Sequence, residues 1–568
     1  MTTEQSSPAA VAAGVPALHA ATLCEAFQLT AAERPHEVAH RSLDGGTEIT
    51  WGEYAERVEA LAAGLHALGV RRGDCVALML VNRPEFNLLD TAAMHLGAVP
   101  FSIYNTLSPD QIAYQLGNAD ARVVITEPQY LDHILAARTG VQEHLVLLDG
   151  THEEAITLDD LEAAGAPDFD FDAAWRAVEP DDVLTIIYTS GTTGPPKGAQ
   201  LTHAGMMFEC RGVSTVFGLT PGGTALSYLP SAHVADRFIS HYYASLCYGA
   251  TVTSVPDPRQ IAAALREVRP GLFAGVPRVW EKLKAGLEAA GVTDPASMPE
   301  AAKAAIREQV GLDQFEHVGS GAAPIPTDVL QFFLDLGVPV CEVWGMSELS
   351  CIATIVPRED IRIGTVGKAL PGVELRVADD GELLVRSPLV MKGYRNDPER
   401  TAEAIDADGW LHTGDVVEID ADGFVKIVDR KKELIINAGG KNMSPANIEQ
   451  QLKGAGPLVG QAVCIGDRRP YNVALLVLDP DTSAAWAAER GLDPSPATLA
   501  DNEELRAAVA AGVDAANERL ARVEQIKRFA ILHEEWQPGG DELTPTSKLK
   551  RKPISEKYEA TIEALYAG

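Results

Sequence analysis

Tyr188-Thr189-Ser190-Gly191-Thr192-Thr193-Gly194-Pro195-Pro196-Lys197-Gly198 packs three glycines, four Ser/Thr hydroxyls and one cation into a short stretch. The residues before it, Pro180-Asp181-Asp182-Val183-Leu184-Thr185-Ile186-Ile187-Tyr188, read as a buried strand that feeds this loop. A nucleotide phosphate needs backbone that can approach closely, hydroxyl donors and a positive charge. Gly191, Gly194 and Gly198 supply the first, Thr189, Ser190, Thr192 and Thr193 the second, and Lys197 the third. It is not a Walker loop, which requires Gly-Lys-Ser/Thr in sequence, because here the lysine follows two prolines and precedes a glycine. The plain alternative, a solvent loop of small polar residues, explains neither the strand before it nor the density of donors.

Outward from this loop, helical and strand signals alternate as in an α/β protein. Trp51 to Leu68 carries apolar residues at helical spacing, and 75–81 is a buried-strand run; the alternation recurs at 85–98, 110–117 and 122–126. From about 372 the pattern changes to short β runs separated by Asp-Gly turns at 380–381, 408–409 and 422–423. After Arg430-Lys431-Lys432 a separate α+β unit begins, with a strand at 433–437, a Gly-Gly loop, a helix from Pro445 and a strand at 472–478. The expected organisation is a loose tail over 1–20, a large unit over 21–431 and a small one over 432–568.

At 568 residues more than one core is expected. The net charge of −33 disfavours nucleic acid as a partner. Any anionic substrate must therefore meet locally basic ground. Seven cysteines lie scattered without CxxC spacing, so buried reduced thiols are expected rather than structural zinc. No apolar run reaches the ~18 residues that span a bilayer. The first twenty residues lack a basic start followed by an apolar stretch, so a cytoplasmic location is expected, with peripheral membrane contact left open. Oligomeric state is not legible.

Further motifs follow in order. Trp344-Gly345-Met346-Ser347-Glu348 joins an aromatic face to a hard carboxylate. Gly319-Ser320-Gly321-Ala322-Ala323-Pro324 follows a short strand and precedes a helix starting near Thr327. Asp408-Gly409-Trp410-Leu411-His412-Thr413-Gly414-Asp415 leads into Phe424-Val425-Lys426-Ile427-Val428-Asp429-Arg430-Lys431-Lys432. Ala438-Gly439-Gly440-Lys441-Asn442, Tyr228-Leu229-Pro230-Ser231-Ala232-His233 and Leu543-Thr544-Pro545-Thr546-Ser547-Lys548-Leu549-Lys550-Arg551-Lys552 complete the set. Singly, several of these would pass as turns or solvated basic edges.

Together, in this order and across nearly the whole chain, they resemble the adenylate-forming superfamily of acyl-CoA synthetases, luciferases and peptide-synthetase adenylation domains. The span 408–432 resembles the signature of fatty acyl-CoA synthetases. The resemblance implies a large N-terminal domain of stacked α/β sheets with a β-rich subdomain, and a small mobile C-terminal domain. It implies that ATP and AMP are bound by Thr189 to Gly194, Gly321, Ala322, Ala323, Trp344, Gly345, Ser347, Asp415, Ile427 and Arg430. Trp344 would stack on adenine and Asp415 would take the ribose hydroxyls. Glu348, with Thr189, would hold Mg²⁺. The acid would lie against His233, Gly319 and Met346. Lys432 would be a hinge, and Gly439, Gly440 and Lys441 would line a coenzyme A tunnel. Lys197 and Lys548 would be the catalytic cations. Ser547 replaces the motif's usual glycine, which matters only if that residue takes a positive φ. The implied reaction is ATP-dependent activation of a fatty acid and transfer to CoA. The alternatives are an aryl or medium-chain acid ligase, an enzyme loading a carrier protein, or a nucleotide-binding regulator without turnover.

Overall fold

The computed structural model describes residues 14–165, 168–189, 195–436, 442–544 and 547–567. A nine-stranded sheet runs Lys368–Ala369, Thr354–Ile355, Cys341–Trp344, His317–Ser320, Leu272–Gly275, Thr224–Ser227, Thr251–Ser254, Val38–Ser42, Glu48–Thr50. From Cys341–Trp344 through to Val38–Ser42 the pairings are parallel. The strands therefore release Trp344-Gly345, Ser320-Gly321, Gly275-Val276 and Tyr228-Leu229 from their carboxyl ends on one side, where open α/β sheets bind ligands.

A second, five-stranded sheet orders Val99–Ser102, Cys75–Met79, Val123–Thr126, His144–Leu147, Ile156–Thr157. Cys75–Met79 is buried at every position, which its unbroken apolar sequence permits and a sheet covered on both faces requires. The neighbouring helix Trp51–Ala67 starts at a capping box between Thr50 and Glu53, and buries Trp51, Tyr54, Val58, Leu61 and Leu65. That stripe repeats every three or four residues. The Asp-Gly turns at 380–381 and 422–423 join the antiparallel strands Glu374–Val377, Glu382–Arg386, Leu411–Ile419 and Val425–Arg430, with Gly381 and Gly423 at φ 84° and 86°.

The chain after 432 forms the hairpin Ile435–Ile436 with Asn442–Met443 and a sheet of Val459–Ile465, Asn472–Leu478 and Ile526–Ile531, packed by the helices Pro445–Gly454 and Glu503–Arg519. Two apolar clusters in this part draw only on residues from Ile435 onward.

The N-terminal expectation needs correction. Pro16–His19 forms a turn of 3₁₀ helix, and Val15, Ala17, Leu18 and Ala20 are buried in the main core. The small apolar residues read as tail composition dock here instead, so no loose tail extends to residue 20. All seven cysteines are free, six of them buried. Among the described residues no helix is long and apolar enough to cross a membrane.

Candidate active site

Thr189 and Lys197 face each other on the last rung of the antiparallel pair Val183–Thr189 and Lys197–Thr202. The Thr189 hydroxyl donates to the Lys197 carbonyl at 3.4 Å. The Gly/Thr loop is thus mounted on a β-hairpin, unlike the strand-to-helix turn of a Walker loop. Ser190, Gly191, Thr192, Thr193 and Gly194 lie outside the described residues. The second strand pairs in turn with Gly393–Tyr394. This brings the Lys197 ammonium 4.7 Å above the Tyr394 ring, and the Tyr394 hydroxyl donates to Glu348 Oε1 at 2.8 Å. Tyr394 is buried. Its place between the phosphate-loop lysine and the acidic residue was not foreseen, because a two-residue strand carries no periodicity to read.

Glu348 sits in a single 3₁₀ turn, Ser347–Leu349, just past the strand Cys341–Trp344. The chain then doubles back tightly. A Cβ on Gly345 would lie 1.9 Å from the carbonyl oxygen of Cys351, so only glycine fits. The returning segment is held by Glu209, whose Oε1 accepts the Ile352 N–H at 2.5 Å. Glu209 is fully buried, and desolvation pushes its carboxyl well above the usual range. It too escaped the sequence reading.

Asp415 and Arg430 are directly opposed on neighbouring antiparallel strands. Arg430 Nε lies 2.6 Å from Asp415 Oδ1, and the Trp344 indole N–H donates to Oδ2 at 2.8 Å. Both carboxylate oxygens are thereby fixed. Burial raises the Asp415 pKa, with the Arg430 charge opposing.

Lys548 follows a tight turn in which the Ser547 N–H donates to the Thr544 carbonyl at 2.9 Å and the Lys548 N–H to Thr544 Oγ1 at 3.0 Å. Ser547 takes φ 60°. The position does require the left-handed region, and serine bears the strain that glycine would avoid. The Lys548 side chain is solvent-accessible because it projects into a crevice, yet protein surrounds it. Desolvation lowers its pKa below 10.5, helped by the Arg430 charge and opposed by Asp415 and Glu348. The Lys548 charge is also felt by His233, whose pKa falls to about 4, mainly through burial. His233 Nδ1 accepts the Ala235 N–H at 3.1 Å. The neutral ring therefore carries its proton on Nε2 and is a donor, not a base.

These groups line one cavity of about 1740 Å³. Every described residue of the expected site is on its wall: Thr189, Lys197, His233, Gly319, Gly321, Ala322, Ala323, Trp344, Gly345, Met346, Ser347, Glu348, Asp415, Ile427, Arg430, Lys432 and Lys548. Ala322 has φ 68°, so the small-residue turn after His317–Ser320 is bent as well as narrow. Gly439, Gly440 and Lys441 lie outside the described residues. The wall also includes Val213, Phe217, Phe238, Ile239, Tyr243, Leu272, Cys351 and Ile352, an apolar group. Phe238, Ile239 and Tyr243 come from an eleven-residue π-helix, Arg237–Cys247. So long a π-helix is rare, and such helices concentrate at functional sites.

Among the described residues no three His, Cys, Asp or Glu side chains cluster as a metal cage. One carboxylate, Glu348, with a hydroxyl, Thr189, beside a phosphate loop is nevertheless a donor set that suits Mg²⁺, which retains waters and takes phosphate oxygens.

The sequence of residues 27–395 matches the family described as AMP-binding enzyme, and 432–568 matches the AMP-binding enzyme C-terminal domain. Over 450 residues the chain is 52% identical to a Mycobacterium tuberculosis protein named as a fatty-acid–CoA ligase, fadD11, covering 73% of this chain and 79% of that one. It is 35% identical over 570 residues to the long-chain-fatty-acid–CoA ligase FadD15 of the same organism, covering 93% and 94%. ATP-bound MatB from Rhodopseudomonas palustris superposes with a TM-score of 0.73 at 25% identity, covering 92% and 96%. The adenylation–carrier didomain of a carboxylic acid reductase from Segniliparus rugosus, solved with AMP, gives a TM-score of 0.79 at 22% identity, covering 98% and 85%; it shares the fold. The chain belongs to the AMP-binding, adenylate-forming enzyme family.

Proposed function

We propose that this chain is an AMP-forming acid–thiol ligase that joins a fatty acid to CoA at the expense of ATP. The observation that carries the reading is Lys548, reaching from the C-terminal unit into a crevice that also holds Glu348, Asp415, Arg430 and His233. A carboxylate oxygen of the acid attacks the α-phosphorus of ATP, the bond to the bridging oxygen breaks, and pyrophosphate leaves. Two anions must approach for this. The Lys548 ammonium between them offsets their repulsion, and His233 Nε2–H orients the acid. Lys197 and the hydroxyls of its loop bind the outgoing phosphates, and Asp415 accepts from the ribose hydroxyls. Glu348 and Thr189 would hold Mg²⁺, which supplies charge neutralisation at those phosphates. The CoA thiolate then attacks the acyl carbonyl, AMP leaves, and the thioester forms.

The apolar wall from Val213 to Ile352 supports a long-chain acid. The naming of similar proteins as fatty-acid–CoA ligases supports the same choice. Leu543, Thr544 and the residues Ser547 to Arg551 stand on the wall of the same cavity, so we infer that the unit from 432 onward turns about Lys432 between the half-reactions to admit the thiol. The test is acid-dependent AMP release over a series of chain lengths, with and without CoA. Release that requires CoA and rises with chain length is expected. Release indifferent to CoA, or greatest with aryl acids, would contradict the reading.

A further inference from the structure

Polar contacts join the C-terminal unit to the helix Pro277–Ala289 and to Ile325. Arg278 pairs with Asp479, and Lys282 Nζ lies 2.7 Å from Asp481 Oδ2. Lys453 Nζ approaches Glu281 Oε1 at 3.8 Å, and Gln450 donates to the Ile325 carbonyl at 2.6 Å. Arg278 and Lys282 are one turn apart and so share a face of their helix. Both line the cavity, beside Gly275, Val276 and Pro277. Asp479 is anchored independently, because its Oδ1 caps the helix Pro480–Arg490 by accepting the Thr482 N–H at 2.9 Å.

Two cations at the mouth of a site in a chain of net charge −33 call for an explanation. Lys282 and Asp481 are both exposed, at 57% and 67%, so that pair holds weakly. Arg278 is 41% exposed but reaches a buried partner, Asp479. Withdrawal of the C-terminal unit would break both pairs at once, leaving Lys282 on the opened path and Arg278 with its remaining contact to Glu281 at 3.4 Å. The co-substrate that takes this path carries phosphate groups. By contrast Arg469, a base near the glycine loop in sequence, is already paired with Glu563 and lies 4.7 Å from the Tyr566 ring centre.

We propose that Arg278 and Lys282 form the binding site for the phosphates of CoA. Asp479 and Asp481 occupy that site in the present arrangement. The proposal rests on the ligase reading given above.

The test uses the full chain with two acceptors, CoA and pantetheine, which carries the same thiol without phosphates. Lys282→Ala and Arg278→Ala are each expected to raise KM for CoA about ten-fold. KM for pantetheine should not move, Lys282→Arg should restore KM for CoA, and Asp481→Asn should lower it. An unchanged KM for CoA, or equal rises for both acceptors, would overturn the site. If the native enzyme turns over neither acceptor, the ligase reading itself fails. Native turnover with unaltered variants sinks only the phosphate site.

Discussion

The Tyr394 hydroxyl donates to Glu348 Oε1 at 2.8 Å while the face of the same ring carries the Lys197 ammonium at 4.7 Å. One buried phenol thus links the residue proposed to hold Mg²⁺ to the cation of the phosphate loop. Tyr394→Phe keeps the ring but removes a hydrogen bond to a charged acceptor, a loss of about 1.5–3 kcal/mol. The Mg²⁺ concentration needed for half-maximal ATP–pyrophosphate exchange should rise about ten-fold or more. An unchanged Mg²⁺ dependence would remove Tyr394 from the site.

Lys548 must be cationic to bridge two anions, and its surroundings lower its pKa from 10.5. Loss of the proton as pH rises removes the bridge. The kcat/KM of adenylate formation should therefore fall along an alkaline limb set below 10.5, and Lys548→Arg should abolish that limb in whatever activity remains. A limb that persists in the arginine variant would assign it to another group.

Ser547 sits at φ 60°, where an L-residue bears roughly 1–2 kcal/mol that glycine does not. Ser547→Gly also loosens the unfolded chain by about 0.5–1 kcal/mol. The balance favours glycine slightly. Thermal unfolding of Ser547→Gly should match or exceed the native protein with adenylation retained, whereas Ser547→Val should lose adenylation. A fully active valine variant would show that the turn tolerates another geometry.

Val213 stands on the apolar wall and follows Glu209 by one helical turn. Val213→Trp should fill part of the acyl channel and move the preferred acid to shorter chains in the CoA-dependent assay, with ATP KM little changed. A uniform loss at all lengths would mean the acyl chain runs elsewhere.

Much of this was legible in the sequence because the relevant groups lie in contiguous runs. The buried strand 75–81, the helix from Trp51 and the strand before the phosphate loop follow from periodicity and appear as Cys75–Met79, Trp51–Ala67 and Val183–Thr189. What escaped depends on pairing between distant segments. Tyr394 reaches Glu348 only through its rung opposite Ala199. Glu209 matters because a helix meets a loop 143 residues later. The π-helix at Arg237–Cys247 is a backbone state with no residue signature of its own, whereas the positive φ of Ser547 was signalled by serine standing in the motif's glycine position. The early docking of Val15 and Leu18 was hidden by the alanine-rich composition around them.

The central claim is that Lys548 serves the first half-reaction and not the second. Lys548→Ala, assayed for ATP–pyrophosphate exchange and, separately, for thioester formation from supplied acyl-AMP and CoA, tests it most directly. The account predicts near-complete loss of exchange, with thioester formation much less affected. Equal loss in both assays would contradict it.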